Sequence, residues 1–155
     1  MAENDVDFAI AAYRDEGVWQ LAELHASIAE DIDDLLGALK RFPSEVGVLA
    51  FVSINDEFFV IARSIGSKVS LLLSDVTAAT AWPLANGIAD ILDVPDPEDE
   101  DDPQPAGDLD IVSDLGMQAM ELSLLCDDPD LYPDEVLSDV ARRLGFGDDF
   151  EALVG

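Results

Sequence analysis

The chain has 155 residues, 49% of them hydrophobic, and a formal net charge of −28 at pH 7. A chain of this length and apolar content can bury a core, so the composition excludes a wholly disordered protein. The charge argues against direct binding of nucleic acid or anionic membranes, because both present negative surfaces and the chain has only seven lysines and arginines.

The N-terminal residues predict a β-hairpin followed by a helix. Residues 6–13 are apolar and lead into a turn signal that ends at Gly17, after which residues 18–21 predict the second strand. Ser27 and Glu30 have the spacing of a capping box, in which each side chain binds a backbone amide at a helix start. The spacing therefore predicts that a helix begins at Ser27.

The next part of the chain predicts more strands and then helices. Its apolar runs are separated by turn signals, which indicates an antiparallel meander. The three predicted strands are residues 46–54, 57–65 and 69–73. Residues 76–92 predict a helix in two pieces, because Pro83 is tolerated at a first helical position but not inside a helix.

These elements predict an α+β domain over residues 1–92. Its sheet is largely antiparallel and five-stranded, in the order ββαβββα, with helices packed on one face. An acidic stretch, residues 93–107, then combines four prolines with seven carboxylates. Such a composition self-repels into an extended state, so it predicts a linker.

A helical segment is predicted after the linker, over residues 108–155. Asp108 is a candidate N-cap for a helix over residues 109–125, and a second helix should run from Pro133 or Asp134 to Leu144. Residues 148–154 predict one last turn or two. A segment of about 48 residues is marginally stable alone, so we expect it to dock on the first domain.

The sequence contains no recognisable catalytic, cofactor or metal motif. Its single histidine, His25, precedes the predicted helix start, which favours a capping or surface role, and neither a P-loop nor a calcium-binding loop is present. The single cysteine, Cys126, suits a reducing cytoplasm, and no apolar run reaches the roughly 18 residues of a membrane span. We therefore expect a cytoplasmic protein that is not an enzyme and has no cofactor.

The distribution of acidic residues suggests a protein partner. Acidic residues occur in all parts of the chain. They either keep the protein soluble or attract a basic partner protein. Among the aromatic residues, Trp82 is the best candidate for an exposed anchor because it precedes Pro83 at a helix start. Trp19 and either Phe58 or Phe59 fit sheet faces instead. The other candidate partner-binding residues are Asp96, Glu98, Asp99, Glu100, Asp101 and Asp102.

Several segments together resemble the actinobacterial tRNA adenosine deaminase-associated protein family. The resemblance extends over nearly the whole chain and is carried by residues 48–54, 57–63, 72–75, 78–79, 83–85, 106–109 and 114–116. The resemblance implies a protein partner rather than a catalytic mechanism, because the family has no established catalytic residues. The chain is not the deaminase itself, because one Cys and one His cannot supply the zinc ligands of that enzyme class.

Two functions follow as hypotheses. The first is a non-catalytic accessory protein that binds a tRNA adenosine deaminase or another basic RNA-handling protein. The second is a nucleic-acid mimic or inhibitor, whose carboxylates occupy a basic RNA-binding surface of a partner enzyme. Self-association through the sheet edge or the helices stays open as well.

Overall fold

An antiparallel sheet with helices on both faces makes up the part of the chain that a computed structural model describes. The described residues are 6–42, 47–54, 57–65, 68–76, 82–93, 105–128 and 131–154. The strands are β1 (Val6–Asp15), β2 (Val18–Glu23), β3 (Val48–Ile54), β4 (Phe58–Ile65), β5 (Lys68–Leu73) and β6 (Ala106–Gly107). The helices are α1 (Ile32–Leu39), α2 (Pro83–Leu92), α3 (Ala119–Asp127), α4 (Pro133–Leu144) and α5 (Gly147–Val154). The predicted α+β class is confirmed.

The sheet has six strands, so the prediction of five is wrong. Its order is β2-β1-β3-β4-β5-β6, and every neighbouring pair is antiparallel. The additional strand, β6, lies in the stretch whose composition predicted a linker. Gly107 has a φ of +110°, and a Cβ at this position would lie 2.2 Å from the Leu71 carbonyl oxygen. Only glycine allows this close approach, so the strand depends on backbone geometry rather than on a hydrophobic pattern.

The sheet separates two hydrophobic cores, one on each face. The first core contains the inward faces of α1 and α2, and the second contains those of α3, α4 and α5. Side chains alternate along a strand, so the neighbours Phe58 and Phe59 enter the first and the second core respectively. All seven residues of β3 are buried, which explains why that strand is apolar in the sequence except for Ser53, whose hydroxyl donates to the Asp7 carboxylate at 3.0 Å.

Helix α1 begins later than the predicted capping box. A short 3-10 helix spans Ala26–Glu30, and Asp31 then adopts an extended conformation that separates it from α1. The Asp31 carboxylate accepts a hydrogen bond from the Asp33 amide at 2.8 Å, so Asp31 is the N-cap. His25 caps the 3-10 helix, because its Nδ1 accepts from the Ser27 amide at 3.1 Å. The sequence predicted a surface or capping-region histidine, and His25 is both exposed and the N-cap of the 3-10 helix.

The helix predicted over residues 109–125 is also wrong in its first half. Residues 109–116 form turns instead, and α3 begins at Ala119. Gly116 has a φ of 139°, which a right-handed helix cannot contain. The turns are held by a buried arginine of the sheet, so a tertiary contact overrides the local preference for helix.

The remaining helices match the sequence pattern closely. Helix α2 has Pro83 in its first turn. Residues 77–81, which belong to the first of the two helical pieces predicted over residues 76–92, lie outside the described part of the chain. Helix α4 has the predicted bounds and ends at Gly145, whose left-handed φ of 109° is typical of a helix C-cap. Within the described ranges, no helix is both long and apolar enough to cross a membrane.

Candidate interaction surface

Arg63 on β4 fixes the segment that leads into α3. The residue is only 5% exposed, and its two terminal nitrogens donate to the two oxygens of Asp114 at 2.6 and 2.9 Å. One of these nitrogens also donates to the Ile111 carbonyl at 2.9 Å. A bidentate arginine–carboxylate pair has a restricted geometry. The sheet therefore determines where the C-terminal helical segment begins.

The same contact shifts the ionisation of Asp114. The hydrogen bond from Arg63 holds the pKa of the Asp114 carboxyl below its ordinary value of 3.8, and desolvation opposes this shift in part. The Asp114 side chain is 61% exposed, so water reaches the carboxylate while the guanidinium stays buried. The pair thus joins a buried cation to a partly solvated anion.

This shift predicts how the contribution of the pair depends on pH. Because the folded-state pKa is lower than the unfolded-state pKa, the pair stabilises the fold fully above the unfolded-state value and loses this effect as pH falls through the folded-state value. We expect the difference in free energy of unfolding between wild type and Asp114→Ala to be constant from about pH 5 to 7 and to shrink below about pH 4. Urea unfolding of both proteins at a series of pH values measures this difference in free energy. A difference that grows on acidification would contradict the assignment.

Helix α3 packs against α4 through one side only. Leu122 is fully buried in the second core, and Glu121 forms an ion pair with Arg143 of α4. On the opposite side, Met120 is 76% exposed and Leu124 is 67% exposed. These two residues are four positions apart and therefore lie on the same face of the helix. Helix α3 thus has an apolar face in the core and a second apolar face outside it.

A groove of about 540 Å³ lies between α3 and α4, next to this outer face. We call it the α3–α4 groove. Its lining side chains are Met117, Glu121, Leu124, Leu125, Asp139, Arg142 and Arg143. Both arginines are ion-paired inside it, Arg142 with Asp139 and Arg143 with Glu121. The groove therefore offers aliphatic surface bordered by compensated charges.

The segment that forms the α3–α4 groove is acidic in sequence. Residues 119–144 contain seven aspartates and glutamates and two arginines. This excess of negative charge favours partners with lysine or arginine beside their apolar residues.

Trp82, the aromatic residue proposed from the sequence, does not line the α3–α4 groove. Trp82 is half-buried: its ring lies 6.0 Å from that of Phe58, and its Nε1 donates to Glu57 at 3.2 Å. The indole therefore belongs to the border of the first core. The acidic candidates Asp96, Glu98, Asp99, Glu100, Asp101 and Asp102 lie outside the described residues.

Other candidate side chains also have structural roles. Trp19 is half-buried against Phe146 at a ring distance of 4.8 Å, and both Phe58 and Phe59 are buried. Cys126 is half-buried on α3. In the described part of the chain, no group of three or more His, Cys, Asp or Glu side chains is placed to hold a metal ion.

The sequence interpretation missed the outer face of α3. The spacing of Met120 and Leu124 was a usable signal, because Leu122, Leu125 and Cys126 already supply a core-facing side. Apolar residues on two sides of one helix indicate two contacts.

Comparisons with known proteins place the chain in a recognised group. The model of the Rv3753c-like tRNA adenosine deaminase-associated protein family matches residues 7–147. Protein Rv3753c of Mycobacterium tuberculosis is 36% identical over 156 residues, which cover 99% of this chain and 90% of the relative. No solved structure matches the chain. The matched residues include the whole α3–α4 groove.

Proposed function

Because this chain belongs to the Rv3753c-like tRNA adenosine deaminase-associated protein family, we propose that it is a non-catalytic accessory protein that binds a tRNA adenosine deaminase. The family match over residues 7–147 is the observation that carries the proposal. It extends over nearly all of both cores and the α3–α4 groove, so the proposal concerns the whole fold rather than one motif.

The charge of the chain supports a partner that handles RNA. A protein that binds tRNA must neutralise phosphates with lysine and arginine, so its surface is basic near the RNA site. This chain carries a net charge of −28, and complementary fields accelerate the encounter of two proteins. An acidic accessory protein can therefore find such an enzyme quickly.

The proposal that the chain is not itself a deaminase is supported by its histidine and cysteine content. Zinc deaminases use a histidine and two cysteines, or three cysteines, as metal ligands, with a glutamate as the general acid and base. Here the single histidine caps a 3-10 helix and the single cysteine lies on α3. These residues support an accessory role beside an enzyme.

The proposal predicts a salt-dependent association with the tRNA adenosine deaminase of the same organism. We expect the association rate constant to fall at least about ten-fold when salt rises from roughly 0.02 to 0.5 M, while the dissociation rate changes less. Stopped-flow fluorescence or surface plasmon resonance measures both rates. An unrelated acidic protein of similar net charge is the control. Absence of binding at low salt, or equal binding by the control, would contradict the proposal.

Mimicry of nucleic acid is a second candidate, and the spread of acidic residues over the whole chain favours it. A mimic occupies the RNA site of the enzyme, so added tRNA should displace it competitively. An accessory subunit should remain bound when tRNA is added. Titrating tRNA into the preformed complex therefore separates the two functions, and we expect the complex to persist.

A further inference from the structure

Helix α3 has more apolar surface than its own fold uses. A helix that packs against one core needs a single apolar stripe. Leu122 already supplies the inward contact and is fully buried, whereas Met120 and Leu124 extend into solvent with exposed fractions of 76% and 67%. Two large apolar side chains one helical turn apart, beside a groove, are typical of an interface.

We propose that the α3–α4 groove binds an amphipathic helix of a partner protein, with aliphatic side chains facing the groove and lysine or arginine on its flanks. The proposal rests on the proposed function in one respect, because the deaminase is taken to supply this helix. The i, i+4 spacing of Met120 and Leu124 matches the spacing of anchors along a bound helix. Met117, which is 2% exposed, lines the groove with Leu124.

Charge decides between a partner of this kind and a second copy of the chain. A second copy would bring its own net charge of −28, including the seven acidic residues within 119–144. Like charges repel when they are brought together across an interface. A helix with basic flanks is attracted instead by the net negative charge of the chain. The net charge therefore favours a basic amphipathic helix as the occupant.

A designed peptide tests the groove without the deaminase. The probe is a helix of roughly 18 residues with leucines along one face and lysines elsewhere, and its control is a scrambled peptide of identical composition and charge. We expect the helical peptide to bind wild type, and to bind Met120→Gln/Leu124→Gln about ten-fold more weakly or worse, because each lost apolar contact removes burial. Glutamine preserves helix propensity and charge.

The control variant is Ile91→Gln on α2. Ile91 is 51% exposed but lies on a helix that packs in the first core, on the opposite side of the sheet from α3. We expect its peptide affinity to equal that of wild type. Equal binding of the helical and scrambled peptides, unchanged affinity of the double variant, or no binding to wild type would overturn the proposal. The midpoints of thermal unfolding of both variants should remain close to that of wild type, because the altered side chains are mostly exposed.

The deaminase itself provides a second arm. We expect Met120→Gln/Leu124→Gln to weaken binding to the deaminase about ten-fold or more, and Ile91→Gln to leave it unchanged. If wild type and the double variant bind the deaminase equally, the groove inference is overturned while the proposed function stands. If wild type binds the helical peptide but not the deaminase, the proposed function is wrong. The inference that the groove binds a basic amphipathic helix then still stands.

Discussion

Phe150→Ala is expected to lower the free energy of unfolding by about 3–5 kcal/mol, the range for deleting a fully buried phenylalanine. Phe150 on α5 has no exposed surface. Its ring makes edge contacts with Phe8 of β1 at 5.5 Å and with Phe51 of β3 at 5.8 Å. The substitution therefore leaves a cavity between the last helix and the centre of the sheet. Such a loss would show that the C-terminal helices and the sheet form one cooperative unit.

Leu153→Ala on the same helix is the matched control. Leu153 is 37% exposed, so we expect its truncation to cost about 0.5–1 kcal/mol. Chemical unfolding followed by tryptophan fluorescence and by circular dichroism measures both variants. A small loss for Phe150→Ala, or separate transitions by the two probes, would mean that α5 unfolds independently of the sheet.

Asp114→Ala is expected to be more destabilising than Arg63→Met, although each removes one half of the same ion pair. Losing the carboxylate removes the bidentate partner of a guanidinium in a residue that is only 5% exposed, and removing one partner of a buried charge costs about 3 kcal/mol or more. Losing Arg63 leaves a carboxylate that is 61% exposed and that water can solvate. Methionine also fills much of the vacated volume, so we expect a cost of about 1–2 kcal/mol.

Asp139→Ala is the control for this asymmetry. Asp139 pairs with Arg142 on the surface of α4, and exposed pairs of this kind contribute about 0–1 kcal/mol. Urea unfolding at neutral pH ranks the three variants. Equal losses for Asp114→Ala and Arg63→Met would indicate that the pair is solvated as a whole and does not fix the turns before α3.

Local sequence patterns predicted most of the sheet because strands β1 to β5 each carry their own signal. Strands β3 and β4 are mostly apolar, and β1 and β2 are joined at Glu16 and Gly17, both with positive φ, as expected for a tight hairpin. Helix α4 was equally clear from Pro133 at its start and Gly145 at its end. In each case, residues close in sequence determine the element.

The errors share a different cause, since each involves a contact between residues far apart in sequence. Strand β6 exists because Gly107 lies against the Leu71 carbonyl. The first half of the predicted helix is replaced by turns that Arg63 holds from 51 residues away. Neither contact leaves a periodic pattern in the sequence.

The candidate surface was harder to predict than the fold. Composition directed attention to the acidic run and to Trp82, because clustered charge and a tryptophan beside a proline are visible in the sequence. The exposure of Met120 and Leu124 depends on which side of α3 enters the second core, and Leu122 decides this through packing. The sequence showed apolar residues on both sides of α3, but it did not show which side would be covered.

Light scattering of the chain mixed with the tRNA adenosine deaminase of the same organism shows whether the two proteins associate. At low salt and about 10 μM of each protein, we expect a species with the summed mass of both partners, which dissociates as salt is added. The Met120→Gln/Leu124→Gln variant should form less of it. Two separate species under every condition would contradict the claim that this chain is an accessory protein of the deaminase.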